Sequence, residues 1–423
     1  LTDESYDSMS DDIDCTGDGT TSITCQITDL GSDGTKNIYI ACKDSWGNKD
    51  TAATNTDLTY TLSTVYTWSG AGDGTTWASD ANWDGPSGYP STADHKAVIN
   101  STSNSINTGG ALTLGELELS GTFSGTLTLG GDLTLDDSAS KNGNLTISSG
   151  TLDVSASNYT INIDGNWTKT GGTFNSRSGT VDFTKSSGTQ TLNSGGTDSG
   201  SDFYNLTHSG AGTVQLQTNA IKITGNFTNS AGTFDGGSVS DILIYRDFTL
   251  SGGTFTSTSG TLTIGGSAGD FNMSDGTTFN HNSGTVKFIG TNTSIDVPGT
   301  ITFYNLTIYK GWSGNAEDLR YISLDPADTL IVEGNFNFAR GYCRNGTIDA
   351  NGSITIGNET GSALGANTNL LIDNDAIDQS FSIPDGAGAP KITLDNPNTT
   401  ITILGDATGG SLIIQQGTFV GGS

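Results

Sequence analysis

The amino-acid sequence predicts an all-β protein whose main body is a parallel β-helix, or β-solenoid. Three observations predict it. Short phrases return along the chain: SGTF at Ser120–Phe123, GGTF at Gly171–Phe174 and Gly252–Phe255, AGTF at Ala231–Phe234, QGTF at Gln416–Phe419. The pentapeptide FYNLT is written twice, at Phe203–Thr207 and Phe303–Thr307, within a recurring order of SGTVxF and GNF elements. Between these phrases Val, Leu, Ile or Phe alternates with Thr, Asn, Lys or Asp, the period-two signature of strands with one buried face.

Composition supports this class and narrows the function. A chain of 423 residues is too long for one ordinary core and predicts two or three modules. Its 60 Gly, 66 Thr and 48 Ser, with only 14% charged residues, resemble a disordered composition. The β-branched and aromatic residues every few positions argue instead for many short strands and turns. Acidic residues outnumber basic ones 45 to 16, giving a net charge of −29. With its few cations scattered singly, the chain has no basic patch for nucleic acid or anionic lipid. No apolar run approaches the ~20 residues that span a membrane, so membrane insertion is not expected. An acidic, Thr-rich surface suits salty water outside the cell, so an extracellular or cell-surface location is expected. The chain opens at Leu1 without a signal segment and reads as a mature or excised piece.

Three segments separate by texture. Residues 1–64 contain alternating strands at Ser22–Ile27, Asn37–Cys42 and Asp57–Leu62. The CTGDGTTSITC phrase reads as two strands around a Gly-rich turn, which sets Cys15 opposite Cys25 as disulfide candidates. Four cysteines allow three pairings, and the spacing alone does not choose among them. The stretch IYIACKDSWGNKDT resembles the late strands of bacterial immunoglobulin-like or fibronectin type III-like surface modules. That resemblance implies a β-sandwich, here either partial or complemented by another chain, because about 100 residues are usual. Residues 65–110 hold Trp68, Trp77 and Trp83 and resemble the segment that opens large bacterial solenoids. Such a segment is expected to cap the open end of a hydrophobic stack, in preference to forming a sugar-stacking platform.

Residues 111–423 form the array. Apolar strands recur about every 17 to 25 residues, close to one β-helix turn, with Gly and Asn at corners. The spacing predicts roughly 15 turns and, at ~4.8 Å per turn, a rod of about 70 Å. This region resembles the β-strand-repeat solenoids of giant secreted adhesins, haemagglutinin-like proteins and autotransporter passengers. The resemblance implies right-handed coiling and a structural or adhesive role.

Candidates for chemistry are few. His95, His208 and His281 stand alone, away from any nucleophile signature. Asp373, Asp375 and Asp378, like the acidic run Ser10–Thr20, offer hard oxygens and are the calcium candidates. Thirteen Asn-x-Ser/Thr sequons occur, and Asn144, Asn166, Asn205, Asn226 and Asn305 are the glycosylation candidates. If these asparagines turn inward, stacked amide ladders are the alternative. The favoured reading is a non-enzymatic, secreted structural rod that associates head to tail into a filament, sheath, surface layer or adhesin. The alternatives are a glycan-binding module using Tyr204, Tyr304, Trp312 and Tyr321 against glycans or cell-surface polymers, and a β-helix polysaccharide lyase or hydrolase built on the YRDF mixture at Tyr245–Phe248 or on Arg340, Arg344 and Asp349.

Overall fold

A computed structural model describes residues 64–420, apart from residues 139, 267–268, 312–319, 358–362, 365–367, 374–378, 384–390 and 404–410. Before residue 64 it describes Lys49 and the backbone of two antiparallel ladders. In these, Gly34–Ile40 pairs with Thr56–Leu62, and Cys15–Thr16 pairs with Thr24–Cys25 so that Cys15 faces Cys25 in register. The rest of the expected immunoglobulin-like module lies outside the described residues.

From Val65 onward the chain coils as a parallel β-solenoid of the right-handed type, with about 13 turns. Each turn visits three faces in order. Face one carries an 11-stranded sheet, continued in the later turns by a 7-stranded sheet that starts at Thr300–Phe303. Face two carries a 4-stranded and then another 7-stranded sheet, and face three an unbroken 12-stranded sheet. The turns are fewer than the 15 expected because many corners are long. Register partners such as Thr300 and Thr329 lie further apart in sequence than one minimal turn requires.

The repeated phrases are the grammar of this coil. In GGTF and AGTF the glycine holds a left-handed backbone, with φ +57° at Gly172, +54° at Gly232 and +67° at Gly253. It turns the corner, the following Thr points out, and the Phe points in. A Cβ on Gly253 would stand 2.1 Å from the carbonyl oxygen of Gly232 in the previous turn, so only glycine fits. The two FYNLT phrases occupy different corners. Asn205–His208 runs on face three, whereas Asn305–Lys310 runs on face two. SGTVDF and SGTVKF shift in the same way. The phrase therefore encodes a corner and the strand after it, independent of which face that strand builds.

Stacking places each inward residue on its counterpart one turn away. Phe227, Phe248 and Phe271 form a column on face three, with centroids 5.4 and 4.6 Å apart. Phe234, Phe255 and Phe279 form a second column on face one at 5.6 and 5.7 Å. Across the interior the columns meet edge to face, as in Phe248 against Phe255 at 4.9 Å and 88°. At the N-terminal end of the stack, Trp83–Asp84 pairs antiparallel with Val65–Trp68 and covers its outer edge. Trp83 sits edge-on to both Trp68 and Trp77, at 4.9 and 4.6 Å, and all three are buried. Buried Asn82 fixes the loop that lays this lid, accepting the backbone N–H groups of Gly72 and Gly74.

Phe248 contacts Phe227, Phe255 and Phe271 at once. Phe248→Ala is expected to lower stability by about 3–5 kcal/mol, read as a fall in the urea midpoint together with faster amide exchange confined to neighbouring turns. Unchanged exchange in those turns would contradict the packing described here.

Candidate functional site

The outer corners carry a hydrogen-bonded ladder. The side-chain carbonyl of Asn144 accepts the backbone N–H of Asn166 at 2.8 Å, and Asn166 accepts that of Thr191 at 2.7 Å. On face three the ladder runs from Asn205 to Asn226, Asp247, Asp270 and Ser294, each side chain accepting the N–H of the next. Asn305 does the same for Asn335 at 2.8 Å. All five glycosylation candidates are ladder residues. In the N-x-T pattern the Asn holds the corner, the apolar x faces inward and the Thr faces outward. This geometry accounts for the sequons without reference to glycans.

Inward polar groups are also committed to corners. Gln190 donates its amide to the carbonyls of Ile163 and Gly165, and Gln379 does so to Ala350 and Gly352. Asn229 donates to Gly252. Because that amide is donor-committed, the Asn229 oxygen accepts from Nδ1–H of buried His208 at 2.7 Å. Burial holds the His208 pKa below its ordinary value. Lys310 is fully enclosed, donating to the Ile289 carbonyl at 2.8 Å and the Thr293 hydroxyl at 2.6 Å. Desolvation brings its ammonium down to about 7. These groups close backbone accounts at corners that a purely apolar interior would leave open.

The sequence-derived candidates do not converge. Arg340, Arg344 and Asp349 end or occupy three strands in three different sheets. Arg344 lies 4.0 Å over the ring of Tyr321. His95 lies tilted at 46° against the Tyr66 ring, while His281 stacks on Tyr304 and stands 3.3 Å from Glu333. Of the calcium candidates, Asp373 is described and lies near Asp349, whereas Asp375 and Asp378 fall outside the described residues. Among the described residues no group of three His, Cys, Asp or Glu side chains could hold a metal ion. Cys343 is a buried free thiol whose pKa burial pushes up to about 12. Of the proposed sugar platform, Tyr304 is 38% exposed, Tyr204 and Tyr321 are half-buried beside arginines, and Trp312 is outside the described residues. No family model, curated protein or solved structure matches the chain.

Two consequences are measurable. Asn226→Ala removes one ladder acceptor and is expected to cost about 1 kcal/mol in chemical denaturation, with Asn226→Asp costing less because it keeps an acceptor. Asp349 stands in an outward column between Ile331 and Leu371, and burial, reinforced by Asp373, raises its carboxyl to about 6. The folded chain then keeps a proton that the unfolded chain releases between pH 4 and 6. Its contribution is present below the ordinary carboxylate pKa and is lost as pH rises through about 6. Asp349→Asn is expected to match the parent near pH 4 and exceed it near pH 8 by about 1 kcal/mol once solvent screening is discounted. Melting curves across that range check the sign.

Proposed function

We propose that this chain is a rod-like structural protein of the cell exterior, part of a filament, sheath, surface layer or adhesin. The observation that carries the reading is the commitment of its polar groups. Inward amides, the buried lysine and the corner asparagines serve the stack itself, while the outward strand positions are mostly Thr, Asn and other short polar residues. An architecture of this kind gains length turn by turn without enlarging its core. The strongly acidic composition supports an extracellular setting, and the Cys15–Cys25 register supports a disulfide there. Among the described residues Ser411–Val420 pairs with Lys391–Ile403 and leaves Leu412, Ile414 and Phe419 exposed. A parallel turn added to that edge, from this chain or a second copy, would bury them.

The glycan-binding alternative draws support from the exposed Tyr304 and Tyr309. The lyase alternative draws little, since its charged residues are spread over three sheets. In cells that make the protein, antibody-gold labelling is expected to decorate a surface fibre or layer, and gene disruption is expected to remove it. Label confined to the cell interior, or a surface unchanged by disruption, would refute the proposal.

A further inference from the structure

One buried cation is not spent on the backbone. Lys169 ends the face-one strand Trp167–Lys169 and points inward in a column whose two preceding members are Leu119 and Ile147. It is buried, and Gly195, with φ +83°, lies against its stem, where a Cβ would stand 3.0 Å from Cγ. Unlike Lys310, it donates to no carbonyl among the described residues. Its ammonium donates to the hydroxyl of Ser201 at 2.9 Å. Desolvation draws the Lys169 pKa below the ordinary lysine value, with the charge of Asp198 opposing the shift.

Ser201 is 1% exposed and belongs to residues 194–204, which stand where face two lacks a strand. The backbone around it is held on every side. The Gly200 carbonyl accepts the Phe174 N–H of the previous turn at 2.8 Å, and the Ser201 N–H donates to the Asp198 carbonyl at 2.9 Å. The Gly200 N–H donates to Oδ1 of Asp198 at 2.8 Å, an oxygen that also lies 3.2 Å from the Ser201 hydroxyl. A serine hydroxyl touching a desolvated lysine amine is a nucleophile paired with its base. So buried a hydroxyl cannot meet a separate substrate. The carbonyl within its reach is that of Gly200, joined to it through one peptide bond, and the Phe174 N–H already stands where an oxyanion would form.

We propose that the chain cleaves its own Gly200–Ser201 bond by an N→O acyl shift followed by hydrolysis. Lys169 takes the hydroxyl proton as Ser201 Oγ bonds to the Gly200 carbonyl carbon, and the Phe174 N–H holds the resulting oxyanion. The C–N bond then breaks as Lys169 returns the proton to the Ser201 nitrogen, leaving an ester and a free α-amine. Water reaches this segment beside the exposed residues 197–199 and hydrolyses the ester to the Gly200 carboxylate and the restored Ser201 hydroxyl. The net change is the addition of one water, with no oxidation or reduction. The two pieces stay stacked, because Thr180–Phe183 pairs with Asn205–His208 and Thr189–Asn193 with Thr213–Leu216 across the cut. Cleavage is independent of the rod reading: an uncut chain is still a rod, and a cut chain need not build a surface fibre.

The test is incubation of the purified whole chain near pH 8, followed by denaturing electrophoresis and mass spectrometry. It is expected to yield two pieces, one ending at Gly200 and one beginning at Ser201, that still elute together under native conditions. Hydroxylamine is expected to speed this cut and leave a hydroxamate on Gly200, the mark of an ester. Ser201→Ala and Lys169→Met are each expected to slow it at least ~100-fold, with circular dichroism reporting whether each keeps the fold. The hydroxylamine arm uses the parent alone and decides the matter even where a variant misfolds. A Gly200–Ser201 bond that stays whole in hydroxylamine, a cut there without hydroxamate, or parental rates in either folded variant would each overturn the proposal.

Discussion

Each turn of this protein must superimpose its side chains on those of the turn before it. In-register parallel pairing sets that requirement, since neighbouring strands lie only ~4.8 Å apart and share both direction and face. A residue in such a stack meets its own kind. Phe248 meets Phe227 and Phe271, Thr254 meets Thr233 and Thr278, and Asn226 follows Asn205. The sequence is repetitive because this geometry rewards a side chain that packs well against a copy of itself. Aromatic rings stack, amides chain their hydrogen bonds, and hydroxyls tolerate their neighbours. Like charges do not stack cheaply, which fits a chain with only 14% charged residues.

The same constraint decides where chemistry can reside. From Phe227 to Phe279 two columns of rings fill the interior, and the buried amides of Gln190, Asn229 and Gln379 are held by corner carbonyls. What varies from turn to turn is displayed on the outer surface. Departures from the pattern are most informative there. Asp349 between two apolar neighbours is one such departure. It registers as a perturbed carboxyl.

Much of the coil was legible in the sequence because its rules are local. GTF states a corner, an outward residue and an inward one within three positions, and N-x-T states a ladder residue and its strand. The tryptophan segment was also readable as a lid, since three bulky rings at one end have few other uses. Other features were hidden because they depend on residues one turn apart. The sequons suggested a ladder only for inward-turned asparagines, whereas Asn144 and Asn226 build theirs at outer corners by accepting the next turn's backbone N–H, which shows only once that turn is placed. Parallel stacking extends back to Val65, within the segment expected only to cap it, because the lid is woven into the first turn. The break in face two, where residues 194–204 replace a strand and Gly200 accepts from Phe174, follows from no motif.

Equivalence of turns can be measured directly by excision. Thr254 and Thr278 are register partners, so deleting residues 254–277 joins Gly253 to Thr278 and removes one whole turn. The stack should close on itself, keeping the parent's β-type circular dichroism and a cooperative melt only slightly lower. Deleting residues 254–265, which removes part of a turn, should throw every later strand onto the wrong face and unfold that part of the rod. If the whole-turn deletion proved as damaging as the partial one, the turns would not be interchangeable, and the account of this protein as a register-locked stack would be wrong.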